Sequence, residues 1–334
     1  MRAASLLLVL LSNHGYWFGG QENTITLRPA AEGGLPAAVL SWKLIFDGAE
    51  LQQGRTDLPA GGTDTVIHLT APATRVRITM HWLYQVVGES GDIPIFAFPT
   101  DIGDRMATRV RGKQIVVWDR PQGLPDMLER LHVPHTVVTS GEQLAVMRPD
   151  ILLVGPDAIG KSPFAQSPLL SLAQSGASVM IFRQTAALQL MGYDLVSRNR
   201  PAKMQWRNEH PLLLDLEPPD LQSWTDDAAS VMAVQLPADE PALEIGYYPR
   251  EVRGARPAPI DAVLVGKTVG KGRFVLCQIL LGDWNTDPRS RILLSNVLDY
   301  LSTRPQPTPS PSRRPAPPSA PPPSVRTIDV PQGE

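Results

Sequence analysis

Asp261–Leu301 reads DAVLVGKTVGKGRFVLCQILLGDWNTDPRSRILLSNVLDYL and holds the only cysteine of the chain. Ala262–Val265 and Phe274–Leu281 are apolar runs of strand length, joined across the turn-rich Val269-Gly270-Lys271-Gly272. Pro288 then opens a pattern in which Ile292, Leu293, Val297, Leu298 and Leu301 recur at helical spacing. Cys277 falls mid-strand between Leu276 and Gln278, where a thiol packs rather than attacks. That placement removes the residue on which a cysteine-dependent enzyme would rest.

Upstream of this stretch, from Gln114, strands and helices alternate. Ile115–Trp118, His135–Thr139, Ile151–Val154 and Val179–Phe182 are apolar strands, and Leu124–Leu131 and Leu169–Gln174 are helical between them. Continuous apolar strands separated by helices predict a parallel sheet covered on both faces, a flavodoxin-like three-layer α/β domain over 103–303. Before about Asp101 the period is two. Leu40, Trp42, Leu44 and Phe46 alternate with polar neighbours, Asp47-Gly48 is a hairpin signal, and Val76–Tyr84 alternates again. Thr65–Leu69 and Ile93–Phe98 add shorter strands. This predicts an antiparallel β-sandwich of immunoglobulin type over 1–102, with its boundary near Thr100–Gly112. Residues 304–334, which include PQPTPSPSRRPAPPSAPPPS, form a proline-rich segment expected to be disordered, a spacer or a proline-motif ligand.

A chain of 334 residues is long enough for two ordinary domains. A formal charge of -2 argues for neither nucleic acid nor anionic membrane, and one cysteine excludes a disulfide framework or a multi-cysteine zinc site. Met1–Leu11 has a short charged and apolar start like a signal peptide, but no small-residue cleavage site follows and the run is too short to span a bilayer. Leu6–Leu11 reads better as the first buried strand. The compartment stays open.

Gly155-Pro156-Asp157-Ala158-Ile159-Gly160-Lys161-Ser162 satisfies the phosphate-loop pattern after an apolar strand, so Gly155, Gly160, Lys161 and Ser162 are the candidate phosphate-binding residues. Pro163 and Pro168 interrupt the helix whose N-terminus should face the phosphate, and Val179–Phe182 ends in Arg183-Gln184 rather than a magnesium-binding aspartate. His132 and His135 are separated by Pro134 and lack a carboxylate cluster, so no metal site is expected. Tyr16-Trp17-Phe18 is either an aromatic platform for a sugar ring or an anchor of the sandwich core. Glu217, Asp220, Asp226 and Asp227 around Trp224 read as solvated charges. No catalytic residue and no cofactor is expected.

From Gln114 onward the strings IVVWD, DILLVGPDAI, SGASVMIFRQ, NEHPLLLDL, DLQSW and GKGRFVLCQILL resemble the class I glutamine-amidotransferase-like domains of bacterial glycoside hydrolases of the β-galactosidase and β-glucuronidase type. AVLSWKLIFDGAELQQG through HLTAPATRVRIT resembles the immunoglobulin-like sandwich that precedes that domain. Where the resemblance implies a nucleophilic cysteine after Val179–Phe182, this chain has Arg183-Gln184-Thr185. A catalytic barrel of roughly 250 residues has no room either. The implied function is a non-catalytic accessory or assembly module supporting carbohydrate degradation by a partner or parent enzyme. Its expected partners are a protein or a second copy, with carbohydrate as a further ligand class and neither nucleic acid nor a membrane span. The alternatives are a stand-alone carbohydrate-binding or protein-interaction protein, and a nucleotide-binding enzyme through Gly155–Ser162.

Overall fold

The computed structural model describes residues 7–29, 37–61, 63–119, 123–160, 167–186, 189–199, 204–207, 209–218, 220–221, 230–237, 244–248, 259–279, 281 and 284–303. Contacts gather the described residues into one compact unit. The proline-rich segment and the first six residues lie outside the described residues. The chain is mostly strand with few helices, and its sheets include a curled half-barrel.

Two small sheets come first. Strands β1 (Leu7–Leu11), β3 (Glu22–Pro29) and β6 (Thr65–Thr70) pair antiparallel in the order β1-β3-β6. A second sheet takes β2 (Tyr16–Phe18), β4 (Ala38–Phe46), β5 (Ala49–Leu58), β7 (Ile78–Val86) and β8 (Glu89–Phe98) in the order β2-β8-β7-β4-β5. Period-two alternation puts Leu40, Leu44, Met80, Trp82 and Ile95 on one face, where they bury Ile25, Leu27, Ile67 and Leu69 of the facing sheet. The β4–β5 hairpin turns through Asp47 (φ 48°) and Gly48 (φ 76°), the paired left-handed conformation that suits a two-residue turn in twisted strands. The expected first strand is present, but it lies at a sheet edge with Leu10 37% exposed rather than fully buried. At the expected domain boundary, Ile102–Arg109 forms helix α1, because Ile102 and Met106 fall one turn apart and both are buried.

The second half builds one large sheet. Strands β9 (Ile115–Trp118), β10 (Thr136–Val138), β11 (Ile151–Val154), β12 (Ser178–Ile181) and β19 (Gly272–Cys277) are parallel, in the order β10-β9-β11-β12-β19. The sheet is mixed rather than wholly parallel. Strand β18 (Ile260–Val269) pairs antiparallel with β19 through a tight turn at Gly270 (φ 59°), and β16 (Ser230–Leu236), β14 (Tyr193–Asn199) and β13 (Gln189–Leu190) continue outward antiparallel. Strands β15 (Gln205–Trp206) and β17 (Glu244–Tyr247) join through β18.

Both faces of the parallel strands are covered, which is why they read as continuous apolar runs. Ile115, Val117, Ile151, Leu153, Met180 and Cys277 face one core with α1, α2 (Leu124–Arg130) and α5 (Pro288–Ser302). Val116, Trp118, Leu152, Val154, Val179 and Leu276 face the other, with α3 (Gly141–Ala145) and α4 (Ser167–Ser175). The first core also takes Tyr16, Phe18 and Phe98, so the small sheets and the large one share buried apolar surface.

That junction is fastened by arginines. The Arg77 guanidinium donates from Nη2 to Asp220 Oδ1 at 2.9 Å and lies 4.6 Å from the centre of the Phe96 ring. Arg289 pairs with Asp287 at 2.8 Å, donates to the Asp220 carbonyl at 3.1 Å, and sits 3.8 Å from the Tyr16 ring centre. Asp220 is therefore fully buried rather than solvated, whereas Glu217 keeps 59% side-chain exposure; Trp224, Asp226 and Asp227 lie outside the described residues. Tyr16, Trp17 and Phe18 are all buried, Trp17 toward the small-sheet core and its neighbours toward the junction. They anchor cores instead of offering a platform.

Candidate functional site

The C-terminal ends of parallel strands are where a covered sheet leaves a crevice, and the candidate phosphate loop begins at the end of β11. Here the crevice is filled. Asp119, just past β9 and 6% exposed, accepts the Leu124 N–H at 2.9 Å and so satisfies the first N–H of α2. Its carboxylate lies directly against Gly155, where any Cβ would overlap it. The loop amides are spent on the protein itself. Gly155 N–H donates to the Trp118 carbonyl at 2.9 Å, Asp157 N–H to the Arg183 carbonyl at 2.9 Å, and Ala158 N–H to the Gly155 carbonyl at 3.2 Å. Ile159 N–H donates to Gln184 Oε1 at 3.1 Å. A phosphate cradle needs such amides unpaired and free of nearby carboxylates. Gly160 follows at φ 66°, and Lys161 and Ser162 lie outside the described residues.

Gln184 lies just past the end of β12 and closes the space beside the Gly155 loop. Only 1% exposed, it donates from Nε2 to the carbonyls of Gly155 at 2.9 Å and Phe182 at 2.8 Å, while its own N–H donates to Gln278 Oε1 at 3.2 Å. Asp157 in turn accepts the Thr185 N–H and, at 2.8 Å, the Thr185 hydroxyl. None of Arg183, Gln184 and Thr185 has the positive φ of a strained nucleophile turn. These residues form a polar plug.

Cys277 is buried at the end of β19 in the same sheet, and burial pushes its thiol up to about 12. It stays protonated at neutral pH and packs in the core shared with the small sheets. Cys277→Ala is expected to lower stability by about 1 kcal/mol in equilibrium urea unfolding, and the native thiol should resist a bulky maleimide. Rapid labelling without prior unfolding would show the packing to be wrong. His132 has φ 54°, His135 Nδ1 lies 2.8 Å from the Val133 carbonyl, and no group of three or more potential metal ligands occurs among the described residues.

The open surface lies elsewhere, on the solvent face of the five-stranded sheet. A cross-strand row of Gly54, Trp42, Tyr84 and Gly91 forms a floor, set by the β5-β4-β7-β8 register. On the core side the Trp42 ring covers Gly54 and the Tyr84 ring covers Gly91, so a Cβ at either glycine would strike an aromatic ring. On the outer side the neighbours of this row, among them Ser41, Gln53, Arg55, Leu83 and Gln85, wall a groove of about 870 Å³. A second groove of about 810 Å³ shares Leu83 and Asp92 with it and extends along β7 past His81. Together they form a trough across the sheet. Sequence reading missed it, because the lining residues come from four strands and only their register brings them together.

No family model and no curated protein matches the chain. Among solved structures it is similar to a Bacteroides fragilis chain described as a β-galactosidase, with 9% identity and TM-score 0.20 over 53% of this chain. It is also similar to a β-glucuronidase from glycoside hydrolase family 2, with 11% identity and TM-score 0.18 over 54% of this chain. A Bacteroides uniformis β-glucuronidase aligns with 8% identity and TM-score 0.20 over 53% of this chain. These alignments span 38%, 20% and 33% of the respective neighbours, so the chain covers well under half of each. At such TM-scores the neighbours are weak ones, and neither fold nor activity carries over from them.

Proposed function

We propose that the chain is a non-catalytic accessory or assembly module related to glycoside hydrolases, acting in carbohydrate degradation through binding. In this reading residues 1–102 are an immunoglobulin-like sandwich, 103–303 an amidotransferase-like domain of flavodoxin type, and 304–334 a proline-rich tail. The observation that carries it is the plug: Gln184, which in this reading takes the place of the nucleophile, has its amide bonded to two main-chain carbonyls. Supporting it are the parallel strand order β10-β9-β11-β12, in which the first strand in sequence lies between the second and third, and helices on both faces of those strands. The purified protein should leave chromogenic β-glycosides and glutamine unchanged, and should associate with a barrel-bearing subunit or with itself in analytical ultracentrifugation. Turnover of either substrate that survives stringent repurification would overturn the reading.

The nucleotide alternative has a direct test in calorimetry with Mg-ATP and Mg-GTP. Because four loop amides are donated internally beside the Asp119 carboxylate, no heat of binding is expected at micromolar protein. A micromolar affinity that disappears in Lys161→Ala would restore the nucleotide reading. The stand-alone carbohydrate-binding reading is favoured by one observation, the trough on the five-stranded sheet.

A further inference from the structure

We propose that this trough binds a linear, uncharged oligosaccharide; the inference rests on reading the chain as a binding module, and specifies what it binds and where. Ser41, Gln53, Arg55, Gln85 and Ser90 all line the first groove, and the side chain of none of them makes a hydrogen bond or ion pair with another described residue. They are hydroxyls, amides and one guanidinium. A hydroxyl donates and accepts together, an amide offers both functions side by side, and a guanidinium is a planar fork of donors. That set matches sugar hydroxyls, each of which also donates and accepts.

The charges point the same way. Lys43 is held by Glu50 at 2.6 Å, and the Asp92 carboxylate pairs with the His81 ring at 2.8 Å. Each of these charged groups thus has a neighbour of its own, and Arg55 is left as a lone donor fork rather than part of a cationic field. A polyanion would find no run of free cations. Apolar contact comes from Leu83 at the centre and from the methylene stems of Lys43 and Arg55, which suit the C–H faces of pyranose rings.

Shape selects a chain over a single sugar. The two grooves meet at Leu83 and Asp92, so the lined surface is continuous across the strands rather than a single pocket. An extended peptide would instead seek main-chain groups, which are offered by the free edge of β5 and not by the sheet face.

The test is isothermal titration of the full chain with cello-, xylo-, manno- and galacto-oligosaccharides, the matching monosaccharides, and oligogalacturonide as the charged comparator. At least one neutral oligosaccharide should bind with affinity rising with chain length and changing little between low and high salt. Arg55→Ala and Gln53→Ala should each weaken it tenfold or more while leaving the melting temperature unchanged, since both side chains are exposed. Absence of binding across the neutral panel, retention of affinity in both variants, or binding confined to oligogalacturonide with a steep salt dependence would each overturn the proposal. Mass spectrometry of the recovered sugar separates the two readings: cleaved product would remove the non-catalytic assignment while leaving the trough in place. Intact sugar without binding would remove the trough alone.

Discussion

Asp220→Ala is expected to lower stability by about 3–5 kcal/mol, the scale seen when one partner of a buried ion pair is removed. Asp220 is fully buried and Arg77 has 8% side-chain exposure, so the substitution strands a guanidinium between Phe96, Phe98 and the α5 face with its main counter-charge gone. The same carboxylate also accepts the Glu217 N–H at 2.8 Å, a bond that would be lost with it. Glu217→Ala provides the contrast. It too pairs with Arg77, at 2.9 Å, but with 59% exposure it should contribute within about 1 kcal/mol. Replacing both charges together, Arg77→Met with Asp220→Leu, should recover much of the loss because neither leaves a buried charge alone. Equilibrium urea unfolding reads all four proteins. An Asp220→Ala loss no larger than that of Glu217→Ala would show that the pair is not what it is taken to be.

Because this pair joins the small sheets to the large one, the substitution also bears on cooperativity. Arg77 lies just ahead of β7, whereas Asp220 lies beyond β15 and anchors Arg289 of α5 through its carbonyl. The wild-type chain should unfold in one transition across residues 7–303, and Asp220→Ala is where a second transition would emerge if the sheets can part.

How far the sequence disclosed this molecule depended on whether the cause was local. Ile151–Val154 was legible to the residue, since four consecutive apolar positions can be accommodated only in a strand buried on both faces or in a short buried helix, and the flanking Gly155-Pro156 decides between them. The Asp47-Gly48 turn was legible for the same reason: both residues tolerate the left-handed backbone that the turn requires. Strands β13, β15 and β17 were not, because runs of two to four residues carry too little pattern to stand out. Helix α1 hid in a boundary whose net polarity masks the Ile102–Met106 spacing. Asp220 looked like one more acid in a charged loop, and its partner stands 143 positions away. The plug was half legible. Arg183-Gln184-Thr185 showed that no cysteine follows that strand, but only the fold showed Gln184 bonded across to Gly155 and Gln278. The trough was wholly tertiary, the product of four-strand register.

Gly272→Ala is expected to be the most damaging single methyl addition among the described glycines of the large sheet, costing at least about 3 kcal/mol. Gly272 opens β19 opposite Val269, and its backbone is seated against the end of α4 and the loop that follows. A Cβ placed there overlaps the carbonyl oxygens of Ala173 and Ala177, main-chain atoms that cannot rotate aside as a side chain would. The Ala173 carbonyl belongs to the last turn of α4 and the Ala177 carbonyl to the connection to β12, where the Ala177 and Gly176 N–H groups close the helix on Leu172 at 3.0 and 3.2 Å. Relief therefore requires β19 to withdraw from α4, which would loosen the strand that carries Cys277 and Gln278 under the plug. Gly48→Ala separates this overlap from simple backbone strain. Gly48 has φ 76° but open space around its Cβ position, so alanine there should cost only about 1–2 kcal/mol. Urea midpoints of the two variants, at unchanged slope, give the comparison. Faster maleimide labelling of Cys277 in Gly272→Ala than in Gly48→Ala should accompany the larger loss. If the two variants unfold at the same midpoint, the close approach of β19 to α4 does not constrain this fold.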